Sequence, residues 1–459
     1  MRKNIDMLNG PLGSAIIRFA IPVMLTTLIQ SLFNTVDLVV IGQFCGSLMV
    51  AAVSATASVT SMFVNLFIGA SLGAGLSAAK ALGSRVEDKI SCVVHTAVSS
   101  AIIGGLFLSV SGAIFSPELL KVMDTPEDVL PLSSIYVRIY FMGSIFVVVY
   151  NFCAAILRAT GDTKTPLYFL IISGILKVLL NIFFVAVCKL DVVGVALSTV
   201  LSQGVSATLV IVELIRRNDA CKLFLNKLRI HKEPLLDILR IGLPAGIQSS
   251  LFSISHVFTA TALNSFDSAA VLSGNGAAQS LEVFTDAIDI GFTQTTSNFI
   301  AQNLGARQYD RVKKTFWSCM KFSTVSIFAA GLLMNLFAEQ LLGLYITDSA
   351  EAIGYGIIRM RYILIPCSLM TAMTKATGGL QGLGHALSAT SITLLTSCAL
   401  RIAWIYTVFA IPQYHTLDCL YVIYPIGWVI TTTVGIIMFL RTLKKKAQTE
   451  LTASLLPGK

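Results

Sequence analysis

Three carboxylates set in the middle of one apolar stretch are the first residues of this sequence that demand a chemical reason. Glu282, Asp286 and Asp289 stand at i, i+4 and i+7 between Ala269 and Phe299, a spacing that puts them on one face of a helix. A carboxylate at the centre of a membrane span costs about 2.5 to 3.5 kcal/mol on insertion scales, so the three cannot all face lipid. Desolvation and mutual repulsion oppose three simultaneous negative charges, which suits such a face to proton uptake or to a cationic molecule. The other reading is a buried ion network with Lys375, Arg359 or Arg361. The sequence leaves both open.

A second polar stripe occupies the first apolar run, from about Ala15 to Ile41: Gln30, Asn34 and Asp37, again at i, i+4 and i+7. It must face the protein interior or a water-filled cavity, unless Asp37 lies close enough to the outer interface to be solvated. Other chemistries find little support. The nine cysteines are scattered singly from Cys45 to Cys419 with no CxxC or Cys/His ligand spacing, so they read as small packing residues, and neither a metal site nor a disulfide framework is indicated. Asp, His and Lys all occur within apolar stretches, which keeps a membrane enzyme in view. Yet there is no HExxH, GxSxG or GxxxxGK[ST] pattern, and His256 reads as a hydrogen-bonded packing histidine. No enzyme, metal or cofactor is expected.

The elements that must position these groups follow from composition. The chain of 459 residues is 55% hydrophobic and only 12% charged, with a mean hydropathy of +0.79. A soluble surface needs about twice that charged share. Apolar stretches near the ~20 residues needed to cross a bilayer recur at Ala15–Ile41, Ser47–Ala78, Ser91–Phe115, Leu132–Leu157, Thr165–Cys188 and Val192–Leu214. After a polar connector from Arg216 to Lys232 come Leu235–Leu263, Ala269–Phe299, Phe316–Phe337, Gly354–Leu380, Ser388–Ala410 and Leu420–Leu440. The predicted fold is an all-α polytopic membrane protein of about twelve transmembrane helices in two pseudo-symmetric six-helix lobes. Residues 1–214 form the first lobe, 215–234 a cytoplasmic connector, and 235–459 the second lobe with a basic tail. The start of the chain shows no cleaved signal peptide.

The net charge of +9 is not gathered on one domain, and no nucleic-acid motif interleaves it. Instead the basic residues fall in alternate loops. One set holds Arg2, Lys3, Lys80, Arg85, Lys89, Arg158, Lys164, Arg216, Arg217, Lys222, Lys227, Arg229, Lys232, Arg307, Arg311, Lys313, Lys314, Arg441 and Lys444 to Lys446. The opposite loops hold Lys121 and Lys189 beside Glu118, Asp124, Glu127, Asp128, Glu339, Asp348, Glu351 and Asp418. Basic loops are retained in the cytoplasm, so both termini and the connector are expected there.

The halves repeat each other in register. Arg18-Phe19-Ala20-Ile21-Pro22 recurs as Arg240-Ile241-Gly242-Leu243-Pro244, at 244 − 22 = 222. Ala81-Leu82-Gly83-Ser84-Arg85 recurs as Asn303-Leu304-Gly305-Ala306-Arg307, at 305 − 83 = 222, and Gly161 matches Gly384 at 384 − 161 = 223. An even number of spans per half makes these parallel repeats, and a two-lobed transporter with a central cleft follows. Gly83, Gly161, Gly305 and Gly384 are expected to end helices in the left-handed conformation. Pro22 and Pro244 each leave a carbonyl unpaired inside a span, where a bend is expected.

With these residues in view, the chain resembles the multidrug and toxic compound extrusion (MATE) family over essentially its full length. The resemblance rests on the Pro22-to-Asp37 helix, the loop Leu157-Arg158-Ala159-Thr160-Gly161-Asp162-Thr163-Lys164-Thr165-Pro166, and the turns Ala301-Gln302-Asn303-Leu304-Gly305-Ala306 and Leu380-Gln381-Gly382-Leu383-Gly384. It implies two six-helix lobes that alternate access and expel cationic or amphipathic compounds against a proton or sodium gradient. It also implies that Asp37 is the coupling acid of the first lobe. Many relatives place an Asn-x-x-x-Asp pair on the fifth helix and a threonine on the sixth; the matching positions here are Lys177, Asn181 and Thr199. An ammonium group there repels sodium. Two readings of Lys177 remain: it pairs with Asp37, or it snorkels to water. Glu282 matches a recurring family position, whereas Asp286 and Asp289 depart from it, and the acids that some relatives carry on the seventh and tenth helices are missing.

The expected function is therefore a secondary antiporter in the cell membrane, monomeric, coupled to protons or secondarily to sodium, that exports small organic cations or amphipaths. The alternative is a lipid-linked oligosaccharide flippase or polysaccharide exporter of similar architecture. That reading predicts several Arg and Lys lining the cavity for pyrophosphate, where the sequence puts acids. A fixed channel fits two equivalent lobes less well.

Overall fold

In lipid every backbone polar group must be satisfied within its own segment, so long apolar runs fold as helices. The computed structural model describes residues 4–123, 126–347 and 349–455, so Arg2, Lys3, Asp124 and Asp348 of the charge pattern lie outside the described residues. Among the described residues there are helices and turns and no strand.

The helices are α1 (Leu12–Cys45), α2 (Ser47–Ser84), α3 (Glu87–Val122), α4 (Leu130–Met142), α5 (Ser144–Ala159), α6 (Lys164–Asn181), α7 (Asp191–Arg216) and α8 (Lys232–Asn264). They continue as α9 (Ala269–Gly305), α10 (Tyr309–Leu336), α11 (Ala338–Gly343), α12 (Ala350–Ile363), α13 (Cys367–Gly382), α14 (Ala386–Thr393), α15 (Leu400–Tyr406) and α16 (Leu417–Leu455). Nine helical stretches among the described residues are long and apolar enough to cross a membrane, and two bent pairs, α4 with α5 and α12 with α13, bring the number to 11. Adding α9, which is 37 residues long but carries Glu282, Asp286 and Asp289, gives 11 + 1 = 12 spans. Every stretch read from the sequence is helical over most of its length, with turns at residues 364–366 and 407–410.

Two of those stretches are not straight. Leu132–Leu157 bends by 43° and Gly354–Leu380 by 44°. The first bend falls at Gly143, where an added Cβ would lie 2.4 Å from Val200 Cγ2. The second falls just before Pro366, which disfavours helical geometry in the residue preceding it. Two further spans contain π-helical turns, at Ile182–Val187 and Leu394–Ala399.

Contacts divide the chain into two compact units. One comprises Met1–Asp6 and Leu25–Ser250; the other comprises Met7–Met24 and Leu251–Lys459. Thus α1 and α8 each pass from one unit to the other partway along, just after Pro22 and Pro244, and both helices run on through their prolines.

In the first unit α5 is central. Val148, Phe152, Cys153 and Ile156 are buried where α5 packs on α2, α3 and α7. The start of α8 lies against α2 through two small-residue pairs, Gly69 and Gly73 facing Gly246 and Gly242; a Cβ at Gly69 would come within 2.1 Å of Gly246 N, the close backbone approach typical of helix contacts in membranes. The connector is folded, not loose. Phe224 N–H donates to His95 Nε2 at 3.1 Å and His231 N–H to Thr96 Oγ1 at 3.1 Å. Burial, then the Asp219 charge, pushes the Cys221 thiol up to about 12, which makes it inert.

In the second unit α9 packs on α10, α12 and α13, and α13 on α16. Phe316 and Phe439 stack at 4.0 Å in its core. The first half of α1 joins this unit, with Phe19 edge-on to Phe299 at 5.4 Å.

The expected glycine stops hold at two of four places. Gly161 and Gly384 have φ of +85° and +83°. Gly83 and Gly305 instead lie in the last turns of α2 and α9, and the left-handed residues are Arg85 and Arg307, at φ 57° and 59°. Their separation, 307 − 85 = 222, keeps the repeat. At Gly161 a side chain would also meet Ile5 O at 2.4 Å. Asp162 follows and accepts from Thr165 N at 3.1 Å and Thr165 Oγ1 at 2.8 Å, which satisfies orphan donors at the start of α6.

Candidate functional site

Each unit holds its own set of internal charges. In the first, Asp37 on α1 is buried and meets Lys177 on α6, with Nζ to Oδ2 at 2.5 Å. Asn181, one helical turn beyond Lys177, donates from Nδ2 to Asp37 Oδ1 at 2.6 Å. The hydroxyl of Ser198 on α7 meets Asn181 Oδ1, which fixes the amide so that its NH2 points at the carboxylate. Lys177 is therefore paired, with both carboxylate oxygens facing donors. Tyr136 on α4 is buried in the apolar cluster beside this group.

The rest of the expected first-unit set is not drawn in. Gln30 and Asn34 are exposed and are not among the partners of the Asp37 carboxylate, which are Lys177 and Asn181. Thr199 is buried, but its Oγ1 finds no hydrogen-bond partner among the described residues. Its neighbour Ser198 takes the place beside Asn181, a one-residue difference on a helix that sequence matching could not resolve.

In the second unit the α9 acids divide into two kinds. Arg359 on α12 grips Glu282 with two hydrogen bonds, Nε to Oε1 at 2.7 Å and Nη2 to Oε2 at 2.8 Å. Its remaining arm donates to Asn275 Oδ1 at 2.7 Å, which also accepts from Tyr421 OH at 3.0 Å. Lys375 on α13 is fully buried and reaches Asp289 Oδ1 at 2.8 Å, Asp289 O at 3.1 Å and Thr293 Oγ1 at 2.8 Å. Thr374 donates to the same Asp289 oxygen at 2.7 Å. Asp286, on the helical turn between, is exposed and has no ion-pair partner among the described residues. Arg361 is also exposed and stands outside the network.

The ion-network reading of the α9 row holds for Glu282 and Asp289, and Asp286 stands outside that network. Arg359 and Lys375 were visible in sequence as internal cations. Asn275 and Tyr421 carried no such signal, because an amide and a phenol in an apolar run look like ordinary membrane-helix residues. His256 on α8 is exposed rather than packed. No group of three or more His, Cys, Asp or Glu suited to a metal ion occurs among the described residues.

Among the described residues, nine to 11 apolar helical spans with charges paired inside the helical bundle define a multi-pass membrane protein. The chain belongs to the MatE family, the multidrug and toxic compound extrusion transporters, whose family model matches residues 22–183 and again 244–407. The two matches begin 244 − 22 = 222 residues apart, the offset of the internal repeat. The probable multidrug resistance protein YoeA of Bacillus subtilis (strain 168) is 28% identical over 337 residues, 72% of this chain and 73% of its own length. The multidrug export protein MepA of Staphylococcus aureus (strain N315) is 24% identical over 394 residues, 84% and 85% of the two chains. Among solved structures, the outward-facing conformation of a multidrug resistance MATE family transporter of the MOP superfamily superimposes with a TM-score of 0.90 at 21% identity, covering 98% of this chain and 99% of that one. The fold is shared throughout. This chain is a MATE multidrug efflux transporter and not an enzyme.

Proposed function

We propose that this protein is a proton-coupled antiporter that exports small cationic or amphipathic organic compounds by alternating access. The observation that carries the reading is the division of the α9 carboxylates: Glu282 and Asp289 are neutralised by Arg359 and Lys375, and Asp286 alone is open to a proton or a cationic substrate. A single open carboxylate can hold one or the other, which is the exchange an antiporter needs. Sodium is the poorer fit at Asp37. A hard cation wants several oxygen ligands, whereas the partners of this carboxylate are the Lys177 ammonium and the Asn181 amide NH2. Protonation of Asp37 would release Lys177 and loosen α1 from α6, a change of partners suited to switching the first unit. The basic loops support a plasma-membrane orientation with both termini in the cytoplasm, with residues 1–214 and 235–459 acting as the two lobes of a monomer.

The test is efflux of a fluorescent organic cation from vesicles containing the purified protein, with pH and sodium gradients imposed separately. Efflux under the pH gradient alone is the expected result. Efflux under sodium alone would overturn the proposed coupling, and no movement of any small cation would favour the lipid-linked oligosaccharide flippase.

A further inference from the structure

Arg401 on α15 is a buried cation, 4% exposed, inside a membrane span and without an acid. Its guanidinium carbon lies 3.9 Å from the centre of the Tyr424 ring, and Nη1 donates to Ser255 Oγ at 3.2 Å. No carboxylate lies within ion-pair distance of it among the described residues, and Glu282 is held by Arg359 with both oxygens. An intramembrane guanidinium is expensive unless it meets an anion or lines a water-filled path. Arg359, by contrast, stands close to Tyr421 and has its carboxylate.

The internal repeat sharpens the point. Asp37 of the first unit maps by 37 + 222 = 259 onto Thr259, and Lys177 maps by 177 + 223 = 400 to within one residue of Arg401. The π-helical turn Leu394–Ala399 lies just ahead of Arg401, whereas the π turn of the first unit, Ile182–Val187, follows Lys177. A π turn accommodates one extra residue, which accounts for the shift. The second unit has therefore kept the cation of the Asp37–Lys177 pair and lost the acid. Thr259 accepts a hydrogen bond from Tyr424 OH at 3.3 Å, so the tyrosine under the guanidinium is fixed by the residue standing where the carboxylate would be. His256, next to Ser255 on α8, is exposed.

We infer that Arg401, with Ser255 and the Tyr424 ring, is a subsite for a carboxylate carried by the exported molecule. With Asp286 open to an ammonium group, the second unit is suited to compounds bearing both charges. This rests on the export reading above and narrows it to zwitterions. A guanidinium with free N–H groups binds a carboxylate in a planar, directional way, and an aromatic face beneath it leaves its edge available.

The test uses a rhodamine with a free carboxylate and its methyl ester, measured by fluorescence polarisation on the purified full-length protein and by efflux from vesicles. The wild type should bind the free acid about tenfold more tightly than the ester, the worth of one charge-assisted contact. Arg401→Gln should remove that preference, so that acid and ester bind alike, with the acid weakened more than the ester, and Arg401→Lys should restore part of it. Ser255→Asp supplies the missing acid within the protein and should also abolish the preference. Equal binding of the two dyes by the wild type, equal weakening of both in Arg401→Gln, or binding of neither dye would overturn the subsite. Selective binding of the acid with no efflux under any gradient would overturn the export reading alone and leave the subsite standing.

Discussion

Asp37 and Lys177 stand on different helices 177 − 37 = 140 residues apart and meet at 2.5 Å. Both are buried, and the carboxylate's second oxygen is held by Asn181. Removing either charge leaves the other stranded in a low-dielectric interior, which costs about 3 to 5 kcal/mol. The single variants Asp37→Ala and Lys177→Ala should therefore lose both thermal stability and transport. The double swap Asp37→Lys with Lys177→Asp restores the pair and should recover part of the efflux. Full activity of Lys177→Ala, with no recovery in the swap, would contradict a working pair.

The α9 acids should separate cleanly in unfolding experiments. Glu282→Gln and Asp289→Asn each break a buried ion pair, and a loss of about 3 to 5 kcal/mol is expected. Asp286→Asn removes no partner and should stay within about 0.5 kcal/mol of the parent. Thermal unfolding in detergent measures all three; an Asp286→Asn protein as unstable as the other two would mean that this carboxylate is structurally engaged.

The two left-handed glycines predict unequal costs. Gly384→Ala meets nothing within 4 Å and should lose only the strain of a positive φ, about 1 kcal/mol. Gly161→Ala adds a collision with Ile5 O at 2.4 Å and should cost at least about 1 kcal/mol more. Equal melting temperatures for the two variants would contradict this geometry.

His385, in the turn before α14, titrates lower than its ordinary 6.5 because of partial burial and the nearby Lys446 and Lys445 charges. The unfolded chain therefore takes up the proton first as the pH falls. The histidine leaves stability untouched above about 6.5 and subtracts from it below that value, through the folded-state titration. His385→Gln should flatten the acid side of the stability profile and leave the neutral side alone. An unchanged acid limb would show that this side chain does not contribute.

Much of this was legible in the sequence because lipid imposes simple rules. Apolar length located all the spans, and the offset between Pro22 and Pro244 located the repeat. The i, i+4, i+7 spacing put Glu282, Asp286 and Asp289 on one face, but spacing cannot say which acid has a partner. That depends on Arg359 and Lys375, which reach α9 from helices more than 70 residues away: 359 − 282 = 77 and 375 − 289 = 86. The same limit explains Gln30 and Asn34. They share a helical face with Asp37, but spacing along one helix cannot say how far the partners on α6 reach, and of this stripe Lys177 and Asn181 meet only Asp37.

The most direct test of the account is proton-driven efflux by Asp286→Asn, compared with the wild type in vesicles at matched protein content. If this carboxylate is the one that exchanges proton for substrate, efflux under a pH gradient should fall by at least about tenfold while the protein melts at its usual temperature. Efflux at the wild-type rate from a folded Asp286→Asn protein would contradict it.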